Sequence, residues 1–115
     1  MIIASVYDVS RGVPATRMPV ELDLFITGQG WKEVGRGMTN SEGVVENFGE
    51  PAAAGIYRLM FDVAAYIPDI CFPSIAVMVD VRDSSVEHHL PVTLSRFGYS
   101  VHRELFQAPL PRAEE

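Results

Sequence analysis

Only one cysteine, Cys71, occurs in the chain, so no internal disulfide can brace the fold. Set between Ile70 and Phe72, it reads as a small buried hydrophobe rather than a nucleophile. Basic residues are sparse: 9 Lys and Arg against 15 Asp and Glu leave a net charge of −6, and the positive groups are scattered. Such a surface argues against nucleic acid or an anionic membrane as partner and leaves a small molecule or another protein. No apolar run approaches membrane-spanning length, and Met1 leads straight into Ile2-Ile3-Ala4-Ser5-Val6-Tyr7 without a basic leader, so the expectation is a soluble cytoplasmic protein. None of the glycines opens a helix, which removes the phosphate-binding loop. Helical structure is expected only as one turn at Ala64-Ala65-Tyr66, cut off by Pro68.

What the chain does have is alternation. Its 115 residues, 48% of them apolar, suffice for one domain that buries about two-thirds of its unfolded surface. Ile2 to Asp8 is a β-branched and aromatic run ended by the turn-rich Ser10-Arg11-Gly12-Val13-Pro14. Val20, Leu22, Leu24 and Ile26 alternate after Pro19; Trp31 to Met38 follows as a strand weakened by glycines. Thr39-Asn40-Ser41-Glu42-Gly43 then turns into a short strand near Val44-Val45. Glu50 to Gly55 reads as a loop despite its alanines, Ile56 to Val63 and Ile75 to Val81 as strands, and Asp83-Ser84-Ser85 as the turn into a final hairpin. Eight short strands with almost no helix describe an all-β sandwich of two four-stranded sheets over residues 1–106, followed by a proline-rich, acidic extension over 107–115. Exposed sheet edges make dimerisation a reasonable expectation. Trp31, Tyr57, Phe61 and Phe72 are assigned to core or interface packing.

The final hairpin holds the residues that suggest chemistry. Its arms, His88 to Leu94 and Tyr99 to Leu105, flank Ser95-Arg96-Phe97-Gly98, whose length and glycine suit a longer hairpin loop. Since strand side chains alternate, His89, Pro91 and Thr93 share one face of the first arm, and Ser100, His102 and Glu104 one face of the second. The opposite faces carry Leu90, Val92 and Leu94, and Tyr99, Val101, Arg103 and Leu105. Imidazole, hydroxyl and carboxylate groups thus gather on one side, where they can tune one another's acid-base behaviour. His88 is expected to be an exposed residue near a turn. A metal is disfavoured because adjacent His88 and His89 point to opposite faces, leaving at most His89, His102 and Glu104 to converge. The reading calls for no metal and no cofactor.

The N-terminal strand, Gly30-Trp31, Thr39-Asn40-Ser41-Glu42-Gly43, Gly55-Ile56-Tyr57-Arg58, Phe61 with Tyr66, Phe72-Pro73, His89-Leu90-Pro91 and Leu94-Ser95-Arg96-Phe97-Gly98-Tyr99-Ser100 fall in a familiar order. Over nearly its whole length the chain resembles the transthyretin and 5-hydroxyisourate hydrolase family. The resemblance implies a transthyretin-like sandwich, a homotetramer built as a dimer of dimers, and ligand pockets opening onto a central channel lined by the first strand and the hairpin. It also implies a place in purine metabolism. In the hydrolases a first-strand His, an Arg after the strand-to-strand turn, a seventh-strand His and a C-terminal Tyr-Arg-Gly-Ser act together. Here Ser5 occupies the first of these positions, Val44 the second and His89 the third; of the tetrapeptide only Arg103 is kept, with His102, Glu104 and Leu105 replacing the rest.

The leading expectation is therefore a divergent hydrolase of small cyclic amides or ureides. His89 is the expected general base, with His102 and Glu104 as a replacement acid-base pair. Ser5, Tyr7, Val44, Pro91, Thr93, Ser100 and Arg103 are expected to contact or orient the substrate. Ser5, lacking a base within reach, is not a nucleophile. The alternative is a non-catalytic transthyretin-like protein that holds a small hydrophobic or aromatic ligand in the same channel.

Overall fold

The computed structural model describes residues 2–48 and 53–106. The expected loop at Glu50–Gly55 lies partly, and the extension over 107–115 wholly, outside the described residues. The described elements are β1 (Ile2–Asp8), β2 (Val13–Pro14), β3 (Pro19–Ile26), β4 (Gly30–Met38), β5 (Val44–Val45), β6 (Gly55–Asp62), α1 (Val63–Tyr66), β7 (Ser74–Val81), β8 (Glu87–Leu94), β9 (Tyr99–Val101) and β10 (Glu104–Phe106). One sheet runs β4-β3-β6-β7 and is antiparallel throughout. The other is centred on β8 and β1, which pair in parallel. β9 and β10 follow one another along the free side of β8, and β2 and β5 share the far side of β1. Counted by lanes, both sheets are four strands wide. The last expected strand is broken in two, and Val13–Pro14, expected as turn, returns to pair with Tyr7 and Asp8.

Period-two alternation decides what these strands bury. Ile2, Ala4 and Val6 of β1 and Leu90, Val92 and Leu94 of β8 are each at most 3% exposed and meet the inner face of the opposite sheet, where Leu59, Phe61, Ile75 and Val81 lie. Each of these side chains larger than alanine contributes about 1.5–3 kcal/mol by its removal from water. Tyr57 and Phe61 are core residues, and Phe72 packs against the core and edge-on to Tyr99 at 5.1 Å. Trp31 is not in that core. It sits in register with Phe25 on the outward side of its sheet and lies over the Arg58 guanidinium, 4.4 Å away, while Arg58 bonds the buried carboxylate of Asp23. Cys71 is exposed, not buried: its neighbours Ile70 and Phe72 turn to the core, and the residue between them points out.

The glycines of β4 permit close approach. A Cβ on Gly35 would run into the backbone carbonyl of Phe48, and one on Gly37 would come within 2.6 Å of Val45 Cγ1. At the end of β1, Asp8 is 3% exposed and accepts from the Tyr66 hydroxyl at 2.8 Å and from Arg11 N at 3.2 Å. The turn α1, capped by Asp62, brings Tyr66 there. Burial, and after it the contact with Asp8, pushes the Tyr66 phenol above its ordinary 10.0.

Two outcomes follow for stability. Gly35→Ala lowers the unfolding free energy by about 1–3 kcal/mol in urea titrations, because a backbone carbonyl cannot step aside as a side chain can. Tyr66→Phe costs about 1.5–3 kcal/mol at neutral pH, the range for a hydrogen bond to a charged group. A raised folded pKa gives stability that is complete below the unfolded value of 10.0 and lost as pH rises through the folded one, so the gap between wild type and Tyr66→Phe closes in alkaline titrations.

Candidate functional site

The outward face of the β1–β8 sheet is a grid set by register. In β1, Ile3, Ser5 and Tyr7 stand beside His89, Pro91 and Thr93 of β8. Val44 pairs with Ser5 on the other side. Across β8, Thr93 faces Ser100 and His89 faces Glu104. Between these pairs, His102 N donates to the Pro91 carbonyl at 3.1 Å, which places His102 opposite Pro91. The turn at Ser95–Gly98 sets this register: Ser95 N and Oγ both donate to the Gly98 carbonyl, at 2.8 and 3.0 Å. Ser5, Tyr7, Val44, His89, Pro91, Thr93, Ser100, His102 and Glu104 therefore lie on one surface, as alternation predicts.

Within the grid, the close ionisable contact joins His89 to its cross-strand neighbour. His89 Nδ1 lies 3.7 Å from Glu104 Oε1, within charge-pair range and longer than a direct hydrogen bond. The expected pairing of Glu104 with His102 is not the one formed; two positions along a strand is about 6.8 Å, farther than the step across to β8. The His89 side chain is 28% exposed and that of Glu104 53%. His102 is exposed, and its diagonal relation to His89 sets their backbones about 7–8 Å apart, close enough for both rings to reach one ligand. Tyr7 is 45% exposed, so this face stands open in one chain. Among the described residues no group of three or more His, Cys, Asp and Glu is placed to hold a metal ion.

Arg103 is the exception among the expected site residues. It lies at the odd parity of the arm and turns away from the grid, with its Nη2 2.9 Å from the Asp80 carbonyl and 3.0 Å from His88 Nδ1. His88, expected in solvent, is 2% exposed. Its parity is that of Leu90, Val92 and Leu94, so β8 carries it inward, where Nε2 lies 3.1 Å from the Asp83 carbonyl. The Asp83 carboxyl is held below the usual range, chiefly by the Ser85 hydroxyl and amide. Residues that sequence reasoning missed are Ile3, level with His89 in β1, and the His88–Arg103 contact. Parity alone assigns Ile3 to the grid; the contact needed the second sheet, which supplies Asp80.

These sheets and this grid define a prealbumin-type sandwich with one polar outward face. Residues 2–104 match the model of the HIUase/Transthyretin family, and the chain belongs to that family. It is 33% identical to the uric acid degradation bifunctional protein TTL of Arabidopsis thaliana over 89% of this chain, but spans only 36% of that protein's length. A probable 5-hydroxyisourate hydrolase of Caenorhabditis elegans is 30% identical over 89% of this chain and 79% of its own. The 5-hydroxyisourate hydrolase of Salmonella typhimurium is 30% identical over 85% and 76%. In fold, the chain superposes on sea bream transthyretin solved in complex with thyroxine with a TM-score of 0.86, at 22% identity over 95% of this chain and 98% of that one. No helix among the described residues is long and apolar enough to cross a membrane.

The two adjacent histidines differ in what they hold up. His88→Ala should cost about 2–4 kcal/mol, because it opens a core cavity and removes its part-buried contacts with the Asp83 carbonyl and Arg103. His89→Ala should stay within about 0.5 kcal/mol, the range of a surface change. Urea denaturation of both variants checks the order.

Proposed function

We propose that the chain is a hydrolase of the 5-hydroxyisourate type that adds water to a small cyclic amide or ureide on the outward face of the β1–β8 sheet. The observation that carries this reading is the facing of His89 and Glu104 across that surface at 3.7 Å, at the position where the family resemblance puts a functional His. The names of the Caenorhabditis and Salmonella relatives support the same reaction class.

In this reading Glu104 faces Nδ1 of His89 and orients the imidazole that serves as the base, the division of labour by which a carboxylate holds a catalytic imidazole. The His89 imidazole takes a proton from water as the oxygen attacks the ring carbonyl. Glu104 then stabilises the imidazolium, and hydroxyls of Ser5, Tyr7, Thr93 or Ser100 donate to the developing oxyanion. The carbon–nitrogen bond breaks as the leaving nitrogen takes a proton from the imidazolium or from His102. Val44 in place of a cationic side chain suits a less anionic or bulkier substrate than the family's usual one. Because this face is open in a single chain, excluding water requires other copies, and the homotetramer of the family resemblance supplies them.

Freshly generated 5-hydroxyisourate and a panel of neutral lactams and ureides test this by loss of substrate absorbance. Turnover above background is expected, with His89→Ala lowering kcat by about a hundredfold or more and Glu104→Gln by less. No turnover on the panel, or an undiminished rate in His89→Ala, sinks the reading.

A binding role has its own support in Ile3, Val44, Pro91 and the half-exposed ring of Tyr7, which make part of the face apolar. Saturable binding of an aromatic ligand that is recovered chemically unchanged would favour it over hydrolysis.

A further inference from the structure

The arm that carries Glu104 is weakly attached where it matters. In an antiparallel ladder the two residues of a hydrogen-bonded pair exchange two backbone bonds, but Pro91 has no N–H. His102 N still donates to the Pro91 carbonyl, and nothing returns. The ladder is interrupted there, β9 ends at Val101, and β10 resumes at Glu104 as a three-residue strand on the edge of its sheet. Short edge strands beyond a gap open at little cost. A slip of one residue would also turn Glu104 to the core side.

Arg103 fastens this segment from behind. Nη2 carries two N–H bonds and spends both, one on the Asp80 carbonyl of β7 at 2.9 Å and one on His88 Nδ1 at 3.0 Å. The guanidinium has no acceptor and the Asp83 carbonyl has no donor. His88 must therefore accept at Nδ1 and donate from Nε2, which lies 3.1 Å from that carbonyl. One ring tautomer closes the chain from the β7–β8 turn through His88 and Arg103 to β7. Because His88 and His89 point to opposite faces, as do Arg103 and Glu104, the inner contact exists only in the register that puts Glu104 in front of His89.

We infer that Arg103, acting through His88, is the positioning residue of the site: it holds the arm beyond Pro91 in the register that sets Glu104 against His89. This rests on the hydrolase reading for its catalytic consequence, though not for its structural one. Neither residue touches substrate.

The test uses the full chain and two readouts, kcat on 5-hydroxyisourate or the best substrate of the panel, and the side-chain ring resonance of His89 in the free protein. Arg103→Met and His88→Leu are expected to move the His89 resonance to where Glu104→Gln places it. They should lower kcat about as far as Glu104→Gln does, with KM little changed. Arg103→Met added to Glu104→Gln should cause no further loss of kcat, since the carboxylate it positions is already gone. His88→Gln, whose amide offers both an acceptor and a donor, should recover most of both signals. Should Arg103→Met fail to fold, His88→Leu carries the test, because an apolar side chain of similar size suits that buried place. An unmoved His89 resonance in these variants, or losses in the double variant that multiply, overturns the inference. If no variant and no wild-type sample turns over any substrate, the hydrolase reading fails, and the resonance series still decides the positioning role.

Discussion

The parallel pairing of β1 with β8 is the constraint on which everything else in the molecule depends. It places a strand with alternating apolar residues beside another of the same kind, so that Ile2, Ala4 and Val6 and Leu90, Val92 and Leu94 form one side of the core. The same alternation fixes what is left outside. Ser5, Tyr7, His89, Pro91 and Thr93 cannot be buried without exposing that core, so the polar face is a by-product of hydrophobic burial made rigid by it. The two aliphatic rows also decide the fates of two neighbouring imidazoles: His88 goes in and becomes a structural contact, and His89 goes out and meets a carboxylate.

Ionic groups serve the two sheets differently. In the β4-β3-β6-β7 sheet, Asp23 is 2% exposed and is bonded twice by Arg58, whose plane is covered by Trp31. Next to it, the Glu21 carboxyl is held above its usual range, chiefly by a hydrogen bond with Asp23. That arrangement is closed on itself. On the β1–β8 face the ionisable pair remains partly solvated, and its partner strand is the one interrupted by Pro91. The edge that carries Glu104 is the one at which the ladder is interrupted, between Val101 and Glu104.

Much of this is legible in the sequence, for specific reasons. Alternation in Val20-Leu22-Leu24, in Ile75-Val77-Val79-Val81 and in the two hairpin arms is strong enough to name the strands and their faces, and nine of the ten expected site residues fall on one surface as parity requires. Arg103 departs because its family match outweighed its own parity, which already pointed to the core side. Nearness to the Asp83-Ser84-Ser85 turn suggests solvent for His88, whereas its spacing from Leu90 and Val92 makes it inward-facing. The break in the last strand follows from the missing N–H of Pro91, a feature written in the sequence whose effect depends on which residue stands opposite. The choice of Glu104 for His89 over His102 is a matter of cross-strand register, which periodicity within one strand does not contain. Cys71 was exposed by its neighbours: two larger hydrophobes claimed the core on either side of it.

The central claim is that a cyclic ureide binds on the outward face at His89. Histidine carbethoxylation mapped by mass spectrometry, with and without hydantoin as a stable, neutral cyclic ureide, tests it most directly because the three histidines serve as controls for one another. His89 should react and be protected by hydantoin, while buried His88 stays unreactive in both samples. Reaction of His89 at the same rate with and without saturating hydantoin would contradict the account.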